Sequence, residues 1–127
     1  MHRVSTDMEI RRLGAGDEGL AAEMFAMMAA VFDEGGAGQR LDPDYVRSLL
    51  ARADFLAVAA VEGGAVVGGV TGHVLPMTRC RSSELFIYDL AVRPDRQRQG
   101  IGRALVAALR EAAAREGVTT SFVAADE

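Results

Sequence analysis

The segment from Arg96 to Arg103 has the residue types and spacing of a binding site for a diphosphate. Gly100 and Gly102 let a ligand approach the backbone without a Cβ in the way. The segment opens a regular helical pattern, and the free N–H groups and dipole at a helix start favour an anion. Arg98 and the arginines at both ends of the segment add positive charge. An ordinary helix start with exposed arginines would look similar, so the two glycines alone do not decide.

A second glycine pattern, Gly-Ala-Gly-Asp-Glu-Gly at 14–19, matches the fingerprint of dinucleotide-binding proteins. Two features argue against such a site. The strand predicted before it, 9–13, is charged, whereas a central parallel strand is continuously apolar. Asp17 and Glu18 would also place two carboxylates where a pyrophosphate has to bind. We therefore predict no dinucleotide site at 14–19.

The apolar spacing predicts eight elements in the order β-α-α-β-β-β-α-β. Apolar residues from Ile101 to Ala112 recur every three or four positions, as in an amphipathic helix, and Gly117 ends the pattern. Gly63-Gly64 is a hairpin signal between two β-like runs. We expect antiparallel middle strands and a final right-handed strand–helix–strand unit with parallel strands. The predicted strands are 8–13, 55–62, 65–74, 84–92 and 118–125, and the helices begin near Asp17, Asp42 and Ile101.

The composition is that of one small globular domain, with half of the 127 residues hydrophobic and a quarter charged. The net charge of -4 makes nucleic acid an unfavoured partner. The charge is unevenly distributed, with +3 in 93–103 and therefore -7 in the rest of the chain. Cys80 is the single cysteine, and only His2 and His73 offer imidazole, so we expect no metal site. The sequence has no signal-peptide pattern and no apolar run of membrane-spanning length, so we expect a cytoplasmic protein without membrane contact.

The segment 97–102, Gln-x-x-Gly-x-Gly, placed between a strand and an amphipathic helix, resembles the acetyl-CoA motif of the GNAT superfamily of N-acetyltransferases. A narrower similarity, from about Arg11 to the last residue, is to type I aminoglycoside 3-N-acetyltransferases. Its most specific part is the run Tyr-Asp-Leu-Ala-Val at 88–92, followed by the glycine motif. Further agreement lies in Val74-Leu75-Pro76, Ser83-Glu84 and Ala125-Asp126.

The resemblance implies an α/β (α+β) GNAT fold, a mixed and mostly antiparallel sheet with parallel, splayed central strands. It implies acetyl-CoA as cosubstrate. The backbone of 90–92 would pair with the pantetheine arm, the Leu90 N–H would polarise the thioester carbonyl, and 97–103 would hold the pyrophosphate. The implied cofactor-binding residues are Leu90, Ala91, Val92, Gln97, Arg98, Gln99, Gly100, Ile101, Gly102 and Arg103.

The resemblance also implies the catalytic groups. Asp89, ordered by Tyr88, would take a proton from the attacking amine, directly or through water. The amine would attack the thioester in one ternary complex, so Cys80 is not expected to act as a nucleophile. Glu84 and Asp126, at the ends of neighbouring strands, would help Asp89 to attract a polycationic aminoglycoside. Solvated strand ends explain Glu84 and Asp126 equally well, and half-buried packing is the alternative for Tyr88.

The sequence ends earlier than the resemblance leads one to expect. GNAT domains normally continue with another helix and two strands, so we expect 1–127 to be a single domain truncated after its fifth strand. The absent part often supplies a tyrosine that protonates the leaving thiolate, and the tyrosines here are Tyr45 and Tyr88. The last strand would have an unpaired edge, and we expect a homodimer in which the partner covers it.

Three functions stay open at this point. The first is acetylation of an aminoglycoside, at its 3-amino group according to the resemblance. The second is acetylation of another amine, such as a polyamine, a protein lysine or an N-terminus. The third is a catalytically impaired module that binds coenzyme A. Small cationic amines are the expected partners for the first two.

Overall fold

The computed structural model of the protein describes residues 7–32 and 41–123. The elements of these residues follow the predicted order, with a short 3-10 turn at Pro94–Arg96 before the last helix. The strands are β1 (Met8–Arg12), β2 (Phe55–Glu62), β3 (Ala65–Pro76), β4 (Ser83–Val92) and β5 (Thr120–Val123), and the helices are α1 (Glu18–Val31), α2 (Pro43–Ala51) and α3 (Ile101–Ala114).

The five strands form one mixed sheet in the order β1-β2-β3-β4-β5. The first three neighbouring pairs are antiparallel and the β4–β5 pair is parallel, as the sequence predicted. Gly63 and Gly64 form the β2–β3 turn with φ angles of 58° and 84°, a conformation that glycine adopts without strain. The arrangement is that of the expected α/β GNAT fold.

Each face of the sheet is covered by helices, and each has its own apolar core. We call the two sides the α3 face and the α1 face, the latter covered by α1 and α2. Because successive side chains of a strand point to opposite faces, β2 contributes side chains to both cores and is buried almost throughout. The α3 face buries Leu56, Val58, Val70, Leu85, Leu105 and Leu109. The α1 face buries Met24, Met28, Val46, Phe55, Ala57 and Ala59.

The glycine pattern at 14–19 is occupied by a carboxylate of the chain itself. Asp17 takes the N-cap position of α1, as predicted, yet its side chain makes no cap hydrogen bond. It instead accepts hydrogen bonds from the Gly14 N–H at 2.8 Å and from the Arg11 guanidinium at 2.7 Å. The N–H group of Gly14 is thus satisfied by a side chain of the same loop.

The element boundaries differ from the predicted ones mainly at strand ends. β3 continues through Pro76 instead of ending near Val74, because its last residues still pair with the start of β4. The predicted final strand is described only as far as Val123, and Ala125 and Asp126 lie outside the described residues. No helix within 7–32 and 41–123 is long and apolar enough to cross a membrane.

Gly69 in β3 allows α1 to pack closely on the sheet. A Cβ at this position would lie 2.3 Å from Sδ of Met24, whose side chain is fully buried. We therefore expect Gly69→Ala to lower the free energy of unfolding by about 1–3 kcal/mol through overpacking. Gly19→Ala is the control, since a Cβ there meets nothing within 4 Å and alanine favours a helix. Urea denaturation of both variants measures the difference, and equal stabilities would contradict close packing at Gly69.

Candidate active site

Strands β4 and β5 pair only over part of β4. Glu84–Ile87 lies alongside Thr120–Val123 in parallel register, whereas β4 continues for five more residues to Val92. Within the described residues, the second half of β4 pairs with β3 alone. The described pairing thus ends at Ile87, opposite the last described residue of β5, and the backbone of 88–92 continues along β3.

A β-bulge in β4 lies directly after the residues that pair with the described part of β5. Thr71 of β3 pairs with Asp89, but the next residue, Gly72, pairs with Ile87, so Tyr88 is the extra residue. A bulge of this kind changes which face of the sheet the following side chains reach. Before it, Ile87 belongs to the core on the α3 face; after it, Ala91 belongs to the core on the α1 face.

The bulge directs the predicted catalytic residues to different faces of the sheet. Tyr88 and Asp89, although consecutive, both line a cavity on the α1 face. Leu90 instead lines a groove on the α3 face, together with Gly100 and Gly102. β4 thus presents the Asp89 carboxylate to the α1 face and Leu90 to the start of α3 on the opposite face.

The groove on the α3 face, which we call the α3 groove, has a volume of about 590 Å³. Gly100, in the left-handed conformation with φ 84°, precedes α3, and no side chain caps the helix. The first N–H groups of any helix lack an intrahelical acceptor, and those of α3 receive none from a capping side chain either. A Cβ at Gly102 would meet only Val92 Cγ2, at 3.9 Å, so the space above this residue is open to a ligand. The groove is lined by Leu90, Gly100, Gly102, Arg103, Val106, Ala107 and Arg110.

The arginines near the α3 groove have different roles. Arg96 was counted among the anion-binding charges, but its Nε lies 2.6 Å from Oε1 of Glu62, and this hydrogen bond raises the pKa of Arg96. Arg93 is paired with Asp95 at 2.8 Å. Arg98 is exposed in the loop before α3, and Arg103 and Arg110 are exposed and line the groove, so these three guanidinium groups can meet an anion there.

Gln97 connects the loop to the end of β4. Its Nε2 donates a hydrogen bond of 3.0 Å to the Val92 carbonyl oxygen. Arg98, next to it, has a φ of 66°, an uncommon value for a residue with a side chain. The loop 97–100 therefore turns sharply from the strand into the start of α3, and in this structure the Gln97 side chain supports that turn.

The cavity on the α1 face, which we call the α1 pocket, has a volume of about 310 Å³. It is mainly apolar and aromatic, and Asp89 is its single carboxylate among the described residues. Thr71, buried beneath it, is the residue that pairs with Asp89 across the sheet. The lining is Phe25, Met28, Ala29, Phe32, Leu41, Tyr45, Leu49, Phe55, Thr71, His73, Tyr88 and Asp89.

The structure brings only part of the predicted substrate site together. Glu84 begins β4 and lines a separate depression with Leu75 and Arg79, so it does not share the α1 pocket with Asp89. Asp126 lies outside the described residues. Tyr88 is 60% exposed, which is more than half-buried strand packing would give.

His73 lines the α1 pocket and was not among the predicted site residues. From the sequence alone, its imidazole was notable only as a possible metal ligand. Its ring lies 5.4 Å from the ring of Phe55 and 5.3 Å from that of Tyr88. The signal that could have found it is the alternation of β3, since His73 and Thr71 are two residues apart and share a face.

Known proteins with this architecture are aminoglycoside acetyltransferases and other N-acetyltransferases. HMB0005, an aminoglycoside acetyltransferase from an uncultured soil metagenomic sample, is 35% identical with a TM-score of 0.86, over 94% of this chain and 80% of that one. A second such enzyme, meta-AAC0020, also from an uncultured soil metagenomic sample, was crystallised with sisomicin. It is 30% identical with a TM-score of 0.87, over 95% of this chain and 79% of that one.

More distant structures share the fold. A ribosomal-protein-alanine N-acetyltransferase from Brucella melitensis biovar Abortus 2308 is 22% identical, with a TM-score of 0.72, over 94% of this chain and 81% of that one. No curated protein sequence matches this chain. The profile of the acetyltransferase (GNAT) family matches residues 22–127. The chain therefore belongs to the GNAT family of acetyltransferases, whose acetyl donor is acetyl-CoA.

Proposed function

We propose that this protein transfers the acetyl group of acetyl-CoA to an amine of an aminoglycoside, at its 3-amino group. The observation that carries the proposal is the β4 bulge, which presents Asp89 to the α1 pocket and Leu90 to the α3 groove. A donor bound in the groove and an acceptor bound in the pocket would meet at this point. The two metagenomic relatives, named as aminoglycoside acetyltransferases, support the acceptor class. The 3-amino position rests on the sequence resemblance.

The α3 groove fits the diphosphate end of coenzyme A. Uncapped N–H groups at the start of α3, the open space at Gly102 and the exposed guanidinium of Arg103 are the features that bind such an anion. Of the rest of the expected set, 97–100 form the turn before these N–H groups, and Ile101 is the first residue of α3. The backbone of 90–92 would pair with the pantetheine arm, beyond the β4 residues that pair with β5.

Acetyl-CoA supplies an acetyl group activated as a thioester. The Leu90 N–H would stabilise negative charge that develops on the carbonyl oxygen. Asp89, with Tyr88 beside it, would accept a proton from the amine while the new C–N bond forms. Because donor and acceptor approach from opposite faces of the sheet, direct transfer needs no covalent enzyme intermediate. Exposed Cys80 is not among the residues that line either cavity.

Acetylation assays separate the proposed function from its alternatives. Transfer of acetyl to gentamicin, with mass spectrometry of the product to locate the amide, would support the aminoglycoside activity and test the 3-amino position. Transfer to spermidine alone would favour another amine as substrate. Calorimetric binding of coenzyme A without turnover on either amine would favour a binding module. The apolar, aromatic lining of the α1 pocket is the observation that keeps a smaller amine in consideration.

We also propose a homodimer in the cytoplasm, with partner contacts at β5. Phe122 and Val123 of this strand are 40% and 61% exposed. Among the described residues, β5 pairs with β4 and no second strand, so its outer edge could pair with another copy. We expect sedimentation velocity at micromolar concentration to give the mass of two chains, and replacement of Val123 by lysine to shift the distribution towards one. A stable monomer would contradict the dimer.

A further inference from the structure

We infer that His73 is a second proton acceptor in the α1 pocket, which takes the first proton from the acceptor ammonium ion before Asp89 takes the second. This inference rests on the proposed function, because it assigns a step of acetyl transfer to an amine. It comes from the position of the imidazole, which lines the same pocket as Asp89. The sequence motifs gave His73 no such role.

Acetylation of an amine at neutral pH has to remove two protons from nitrogen. The ammonium ion R–NH₃⁺ must lose one proton before its nitrogen has a lone pair. The nitrogen must lose another when it bonds to the carbonyl carbon and the C–S bond breaks with the electron pair on sulfur. One of these protons balances the thiolate as a thiol, and one goes to solvent. A single carboxylate would have to accept both in turn.

An imidazole is better suited than a carboxylate to the first of these steps. A free imidazole gains and loses a proton between pH 5 and 8, where a protonated amine is the dominant species. A free carboxylate has too low a proton affinity to hold a proton in this pH range. Catalytic proton acceptors work best when their own proton affinity matches the working pH. Asp89 remains suited to the second step, because a nitrogen that is bonding to a carbonyl carbon is a much stronger acid than the free ammonium ion.

The geometry places His73 where an amine near Asp89 would reach it. Thr71 and His73 share one face of β3 about 7 Å apart, and Thr71 pairs directly with Asp89. His73 and Asp89 are thus diagonal neighbours across the strands, with the bulge residue Tyr88 beside both. The imidazole stands edge-on to the Tyr88 ring at an interplanar angle of 86°, and it also contacts Phe55. These two rings hold the imidazole at the wall of the pocket.

The titratable and charged groups around His73 come from β4, from α2 and from the residues before β2. Asp89 and the phenol of Tyr88 face it from β4, and the phenol of Tyr45 lines the pocket from α2. Asp54, before β2, is paired with Arg52 at 2.9 Å. The pKa of Asp54 is lowered mainly by the hydrogen bond from Arg52, and the charge of His73 lowers it slightly further. Asp89 is thus the carboxylate that shares the α1 pocket with the imidazole, whereas Asp54 is engaged by Arg52.

The test is the pH dependence of kcat/KM for gentamicin in native protein and in His73→Phe. Phenylalanine keeps a ring against Phe55 and Tyr88 but cannot accept a proton. We expect kcat/KM to fall about 100-fold at pH 6.5 and less than tenfold at pH 9, where free amine is abundant. A structural role would produce an equal loss at every pH, and that result, or no loss, would overturn the inference. Asp44→Asn, whose carboxylate lines neither cavity, is the control and should retain the native pH dependence of kcat/KM.

A second measurement keeps the inference testable without turnover. The native chain has two histidines, so comparison with His73→Gln assigns the imidazole signals in a proton NMR titration. We expect bound gentamicin to move the titration of the His73 signals to lower pH, because a cation beside the ring opposes its protonation. Signals that do not respond would overturn the inference. Absence of acetyl transfer to any amine would refute the proposed function, whereas this titration would still show whether His73 meets the amine.

Discussion

Asp89→Asn is expected to lower kcat for acetyl transfer by about 10²–10⁴-fold, the usual contribution of a positioned proton acceptor. The amide side chain has nearly the size of the carboxylate, so it preserves the packing around the bulge while it removes the basic group. The dissociation constant for acetyl-CoA should stay within about twofold of the native value, because Asp89 lines the α1 pocket and the donor groove lies on the α3 face. Steady-state kinetics and calorimetry measure the two quantities separately.

The matched control is Asp44→Asn in α2. Asp44 is also a carboxylate, 81% exposed and paired with Arg47, and it lines neither cavity. We expect this variant to retain native kcat. Similar losses of turnover and of acetyl-CoA affinity in Asp89→Asn would mean that the substitution disturbs β4 as a whole, and the role of Asp89 as proton acceptor would be wrong.

Much of the fold could be predicted because its elements have strong local signals. The regular apolar spacing of α3, the Gly63-Gly64 turn and the Asp42-Pro43 helix start are set by short-range sterics and hydrogen bonding. Those signals appear in the structure as α3, the β2–β3 hairpin and the start of α2. The parallel β4–β5 pair follows from the helix that connects them, since a crossover connection joins parallel strands.

The candidate site could be predicted only in part, because its geometry depends on long-range register. Alternation along β4 from Ile87 would place Asp89 on the α3 face, and the bulge at Tyr88 reverses this. The ion pair of Arg96 joins residues 34 positions apart, and local charge counting could not anticipate that Glu62 engages it. His73 enters the pocket through the pairing of β3 with β4, which no local pattern specifies.

The substitution Gly102→Glu is expected to stabilise the fold and to weaken acetyl-CoA binding. Glycine is unfavourable in a helix by about 1 kcal/mol relative to good helix formers, and an acidic side chain in the first turn adds about 0.3–1 kcal/mol through the helix dipole. The new Cβ has room, since its nearest neighbour would be Val92 at 3.9 Å. The carboxylate, however, would accept hydrogen bonds from the N–H groups that we assign to a diphosphate and would fill the same space. We therefore expect affinity to fall at least about 100-fold, or roughly 2.8 kcal/mol.

The same substitution at Gly19 separates the two effects. Gly19 and Gly102 are each the second residue of a 14-residue helix, α1 and α3 respectively. Gly19→Glu should therefore raise the free energy of unfolding in a similar way while acetyl-CoA affinity stays native, because α1 lies on the other face of the sheet from the α3 groove. Thermal unfolding and calorimetry in low-salt buffer measure both quantities. If Gly102→Glu bound acetyl-CoA as tightly as Gly19→Glu, the start of α3 would not be the diphosphate site, and the proposed orientation of donor and acceptor across β4 would be wrong.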